Sequence, residues 1–199
     1  MKQESSYIMK TSNIYDAAEA VELKMKQIHP KLFGLFCPVK YKLLSTEPVY
    51  VPYLFLVFHY SLVRGSKKEE AGRLSPFDRD GQIGVVFDMN EAHAFHYDLF
   101  DDLELVQLRK DAMEGRFMKA SCTEQEAVRN SMEYAKWQYL RKVFHAIPEI
   151  TLERKQFFVR QAVLLNLECR GRQYEKFAYQ DRFGAKSEHI SGLRVRLNV

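Results

Sequence analysis

The stretch Tyr53-Leu54-Phe55-Leu56-Val57-Phe58-His59-Tyr60-Ser61-Leu62-Val63 decides the fold. In a strand, successive side chains point to opposite faces. Tyr53, Phe55 and Val57 then line one face and Leu54, Leu56 and Phe58 the other, so both are apolar. Such a strand is covered on two sides. The uncharged run that contains it, 48–63, has 16 residues, against the roughly 20 that a spanning helix needs. Pro48 and Pro52 interrupt it as well. A buried strand is therefore expected and a membrane span is not. Pro52 cannot donate to a ladder and marks the start of the strand or an edge.

Outward toward the N-terminus, Glu47-Pro48 reads as a turn and 39–44 as a strand. Ser12 and Asn13 are placed to cap a helix from Ile14, with Ala17, Ala18, Val21, Met25 and Ile28 on one face and Pro30 as its stop. Toward the C-terminus, 64–81 reads as a long exposed loop. Gln82 to Met89 is expected as a strand, Asn90-Glu91 as a turn and Ala92 to Tyr97 as a weaker strand. Asp98, Asp101 and Asp102 suit the start of a helix over about 101–118, with Leu99, Leu103, Val106, Met113 and Phe117 on its face. Thr123-Glu124-Gln125-Glu126 fits a capping box for a helix that Pro148 ends. Phe157 to Cys169 and Gln173 to Tyr179 read as a hairpin turning at Arg170-Gly171-Arg172, and 190–199 as a last half-exposed strand.

These elements make the chain α+β, with antiparallel curved sheets packed on helices. They also suggest a duplication, as a helix-plus-strands unit over 1–100 and a two-helix-plus-strands unit over 101–199. Val49 to Val57 answers Phe157 to Leu165, and Val86-Phe87-Asp88 answers Tyr179-Gln180-Asp181. In element order each half resembles the helix-on-curved-sheet units of cystatin-like folds. That resemblance carries no diagnostic motif and hence no functional residue.

The 199 residues are 46% hydrophobic and 28% charged, which excludes a disordered or low-complexity chain. Residues 1–10 hold no apolar segment of a signal peptide. Cys37, Cys122 and Cys169 are odd in number and form no CxxC pair, so small thiols in a reducing cytoplasm are expected. Glycines at 65, 72, 81 and 84 make no phosphate loop, and no GxSxG elbow is present. Asp78 to Ile83 has the middle of a calcium loop, but its first ligand position is Pro76 and its twelfth Phe87. Cys122, at a helix start, is the best nucleophile candidate, although no base accompanies it in sequence. His29 and His145 lie near helix C-termini, where an imidazolium has a structural role. A weak metal candidate remains in His59, Asp88, His93 and His96. On a strand, however, His93 and His96 point to opposite faces.

The formal charge of +4 hides a split: residues 65–105 carry −6 and residues 151–199 carry +5. Arg170, Arg172, Lys176, Arg194 and Arg196 alternate with Tyr174, Phe177 and Tyr179 in the basic part. Basic and aromatic residues on a sheet can hold single-stranded nucleic acid by charge and base stacking. The favoured expectation is a non-catalytic, cytoplasmic protein-interaction module of unknown role, homodimeric or bound to another protein, with no cofactor. Nucleic-acid binding through the C-terminal sheet is the alternative, and a metal-dependent enzyme the weaker one.

Overall fold

A computed structural model describes residues 7–28, 40–62, 79–98, 103–144 and 147–183. In chain order the elements are β1 (Tyr7–Thr11), α1 (Ala17–Ile28), β2 (Lys42–Leu62), β3 (Arg79–Asp88), β4 (His93–Tyr97), β5 (Leu105–Arg109), β6 (Arg116–Phe117), α2 (Glu124–Glu133), α3 (Arg141–Phe144), β7 (Glu149–Cys169) and β8 (Arg172–Tyr179). A π-helical stretch, Tyr134–Leu140, joins α2 to α3. The chain is mixed α/β, with a large and mostly antiparallel sheet of order β4-β3-β2-β7-β1-β5, β6 beside β2 and β8 beside β7. The expected loop at 64–81, apart from its last three residues, the last strand at 190–199, and Cys37, His29, His145, Asp101 and Asp102 lie outside the described residues.

The chain forms two compact units, one from residues 1–52, 103–119 and 158–199, the other from 53–102 and 120–157. In the first unit β7 and β8 form a hairpin from Ala162 opposite Tyr179 to Cys169 opposite Arg172. Arg170 and Gly171 supply its turn with φ of 51° and 75°. One face of the hairpin, Val163, Leu165, Leu167 and Ala178, packs against Ala20 of α1, with Val21, Met25 and Ile28 around it. The helix is capped by Asp16 rather than by Ser12 or Asn13. The Glu19 amide donates to Asp16 Oδ1 at 2.8 Å, and the Asp16 amide to Glu19 Oε2 at 3.1 Å. Ser12 is drawn away instead, its amide donating to the Glu104 carbonyl.

The stretch 105–117 is not the expected helix. Leu105–Arg109 pairs antiparallel with β1, Val106 opposite Lys10 and Leu105 opposite Thr11. A short 3-10 turn, Lys110–Ala112, follows, and Arg116 and Phe117 run parallel to Val49 and Tyr50. The apolar spacing satisfied a helical period, but long-range pairing overrode it. Gly115 has φ of +136°, and a Cβ there would stand 2.6 Å from the Pro48 carbonyl oxygen. A helical backbone with a side chain at 115 is incompatible with that approach.

In the second unit the run that opened the sequence reading, as far as Leu62, pairs along its length with β3, from Tyr53 opposite Asp88 to Leu62 opposite Arg79. β3 then pairs with β4, from Gly84 opposite Tyr97 to Asp88 opposite His93. Leu54, Leu56, Phe58, Val85 and Phe87 meet Ala127, Tyr134, Ala135 and Leu140 of the helical segment in one core. The other face is also buried, through Tyr53, Phe55, Val57, Val86 and Phe95. The two-sided burial expected of this strand is thus present.

The strand is longer than its apolar half. Glu47-Pro48 does not turn the chain, and β2 continues through both prolines. Pro52 sits between the β6 ladder, which ends at Tyr50, and the β3 ladder, which starts at Tyr53, so its missing N–H costs neither a hydrogen bond. The capping box is formed as read. Thr123 Oγ1 accepts from the Glu126 amide at 3.3 Å and Glu126 Oε2 accepts from the Thr123 amide at 2.8 Å.

Candidate functional site

The metal candidates separate along the second unit's sheet. Asp88 and His93 are directly opposed on β3 and β4 and share a face with Tyr53. His96 lies on the other face, its ring stacked on Tyr139 at 4.1 Å between centroids, with its amide donating to the Tyr134 hydroxyl at 3.1 Å. His59 is opposite Gln82, six residues along β3 from Asp88, a distance of about 20 Å at strand rise. Its Nε2 meets Asp80 Oδ1 at 2.5 Å. The structure therefore brings Asp88 and His93 together and not the other two. Among the described residues no three His, Cys, Asp or Glu side chains gather as a metal site.

Asp88 is already committed. Its Oδ2 accepts from the Tyr53 hydroxyl at 2.5 Å, and its Oδ1 from the amides of Asn90 and Glu91 at 2.8 and 2.9 Å. This is the bonding of a carboxylate that shapes the β3–β4 turn. Cys122 is a poor nucleophile in this setting. Burial pushes its thiol up, and the carboxylates of Glu126 and Asp88 push it further in the same direction. A thiol so held is protonated at neutral pH, and the thiolate is the reactive form.

Sequence reading missed a deeply buried polar cluster, in the first unit. Arg160 bonds Asp181 through Nη2 to Oδ1 at 2.9 Å and through Nε to Oδ2 at 3.1 Å, with both side chains at most 3% exposed. Thr11 Oγ1 donates to Asp181 Oδ2 at 2.5 Å. The guanidinium lies over the Tyr179 ring at 3.4 Å and faces Phe183 at 5.0 Å. Lys10 donates to Gln161 at 2.9 Å, and burial lowers its ammonium pKa, with Asp181 partly offsetting the shift. The cluster ties β1, β7 and the end of β8 together. Its donors and acceptors face one another, which describes a brace rather than a reaction site. The sequence signal was an arginine, Arg160, within the mainly apolar run 157–165.

Of the basic candidates, Arg170, Arg172 and Lys176 lie exposed on the β7–β8 hairpin. Arg194 and Arg196 lie outside the described residues. Arg172 and Lys176 flank Tyr174 on one face of β8 by strand alternation. Tyr41 stands edge-on to Tyr174, with ring centroids 5.8 Å apart. Glu168 and Glu175, opposite Gln173 and Asn166, belong to the other face. Among the described residues Lys40, Arg170, Arg172 and Lys176 hold no carboxylate.

No helix among the described residues is long and apolar enough to cross a membrane. Comparison with known proteins found no matching family model, no matching curated protein and no matching solved structure.

Proposed function

We propose that the chain is a non-catalytic interaction module that pairs with a second copy of itself through β5. The observation that carries this reading is an open strand edge. Among the described strands β5 ends the sheet and is paired on one side, to β1. An unpaired edge offers a row of N–H and C=O groups to another chain. Its sequence, Leu105-Val106-Gln107-Leu108-Arg109, suits a twofold contact. Antiparallel pairing centred on Gln107 sets Val106 opposite Leu108 of the second copy, and the same patch serves both chains. Val106 is exposed, as such a contact requires. The −6 and +5 segments support association as well, since opposite fields steer encounter.

The test is oligomeric size. Light scattering across a dilution series is expected to give a dimer that falls to monomer, and Val106→Lys, a charge on the edge, is expected to yield monomer throughout. A wild-type chain that stays monomeric at high concentration, or a dimer indifferent to Val106→Lys, overturns the reading.

We also infer that the two sequence halves, 1–100 and 101–199, descend from one helix-plus-strands unit. β2 and β7 are each 21 residues long and each follows a helix. The twelfth residue of each, Tyr53 and Arg160, one residue off the alignment read from sequence, bonds an aspartate at or just past the end of the next hairpin strand, Asp88 and Asp181. An experimental structure is expected to superpose β2 on β7 and β3 on β8 with the aspartates coincident. Superposition only under another pairing would refute the duplication.

A further inference from the structure

The hairpin surface of the first unit carries a feature that self-pairing through β5 does not use. Tyr174 is 38% exposed although Ala178, on the same face of β8, packs under α1. Arg172 and Lys176 stand two residues to either side of it, about 7 Å along the strand. Arg170 follows in the turn, in a left-handed backbone conformation. The Tyr41 ring backs Tyr174 edge-on, and the exposed Lys40 precedes Tyr41. The carboxylates of the hairpin, Glu168 and Glu175, belong to the opposite face.

We propose that this surface binds single-stranded nucleic acid, with a base on the Tyr174 ring and the backbone phosphates on Arg170, Arg172, Lys176 and Lys40. Three arguments favour this occupant. The four cations hold no carboxylate among the described residues, so they are available to a polyanion. An exposed ring between two of them supplies a stacking platform, which a base from a single strand can reach and a paired base cannot. A second tyrosine, packed perpendicular to it, holds that ring in place, which limits the ordering cost of binding. An acidic peptide would use the cations but gain nothing from the ring.

The experiment is fluorescence anisotropy with labelled oligothymidylate and oligouridylate of about twenty nucleotides, at several salt concentrations. Binding is expected at low salt, with log K falling against log salt at a slope of about −2 to −3 for three or four neutralised phosphates. Tyr174→Ala is expected to weaken it about 5- to 100-fold, and Tyr174→Phe to leave it intact. Arg172→Glu with Lys176→Glu is expected to abolish it, while circular dichroism stays that of the wild type. Val106→Lys is expected to bind normally, so failure of the dimer leaves this proposal standing and the reverse holds too. The two oligonucleotides distinguish DNA from RNA. Absence of binding at low salt overturns the proposal, as does equal binding of duplex, competition by polyglutamate at equal charge, or indifference to Tyr174→Ala.

Discussion

At the scale of the residue, two buried aspartates are satisfied in different ways. Asp88 takes a neutral hydroxyl from Tyr53 and two turn amides, and Asp181 takes a guanidinium and the Thr11 hydroxyl. Removing one partner of a buried ion pair leaves the other charged and desolvated. Arg160→Leu is therefore expected to destabilise by about 3–5 kcal/mol, read from the urea midpoint. Pairing it with Asp181→Leu is expected to recover much of that loss, because no buried charge then remains. A cost below about 1 kcal/mol for Arg160→Leu alone would show that the pair is not the brace described. Residue identity made Arg160 visible in the sequence, but its partner lies 21 positions away and past a hairpin, where no local pattern reaches.

At the scale of the element, the local signals that held were self-contained, although the Ser12–Asn13 cap and the Glu47-Pro48 turn, as local, did not hold. Thr123 and Glu126 formed the expected capping box because all its atoms lie within one turn of chain. The Arg170-Gly171 turn was legible for the same reason. The β1–β5 pair was not, since Tyr7–Thr11 and Leu105–Arg109 are five-residue strands that become strands only by meeting each other. β2 was read as two pieces because Pro48 and Pro52 look like breaks until the gap between its two outer ladders is known. The π-helical stretch left no sequence mark at all.

The capping box also gives a pH dependence. Glu126 lies below the usual carboxyl range, chiefly because the Thr123 amide and then the Thr123 hydroxyl bond its charged form. A depressed folded value contributes stability above the unfolded pKa, about 4.3, that is lost as pH falls through the folded value. Glu126→Gln is expected to remove this acid-side loss, followed by helical circular dichroism between about pH 5 and pH 2. Thr123→Ala is expected to cost about 1 kcal/mol at neutral pH. Identical acid profiles for wild type and Glu126→Gln would contradict the assignment.

At the scale of the whole molecule, the fold class was legible and the geometry of the candidate surface was only partly so. Short apolar and aromatic runs gave an α+β chain with an antiparallel sheet, because a strand buried on both faces reads as an apolar run too short to span a membrane. The metal constellation looked plausible in one dimension because Asp88, His93 and His96 are neighbours in sequence. Strand geometry then sent His96 to the other face and His59 to the far end of the ladder. The basic stretch was legible as composition, but only the register of β8 showed that Arg172, Tyr174 and Lys176 share a face while Glu168 and Glu175 do not.

The only tryptophan of the chain, Trp137, lies in the π-helical stretch of the second unit, 39% exposed, with the Arg141 guanidinium 5.4 Å and the Lys136 ammonium 6.0 Å from its ring. Its emission is therefore a built-in spectroscopic probe with a biased view. Two cations beside the indole concentrate anions there. Iodide is expected to quench it more efficiently than caesium does, and salt to narrow the difference. Equal quenching by both ions would place the cations elsewhere in solution. An unfolding curve followed at this wavelength reports on the second unit, and the first unit is heard only through its tyrosines.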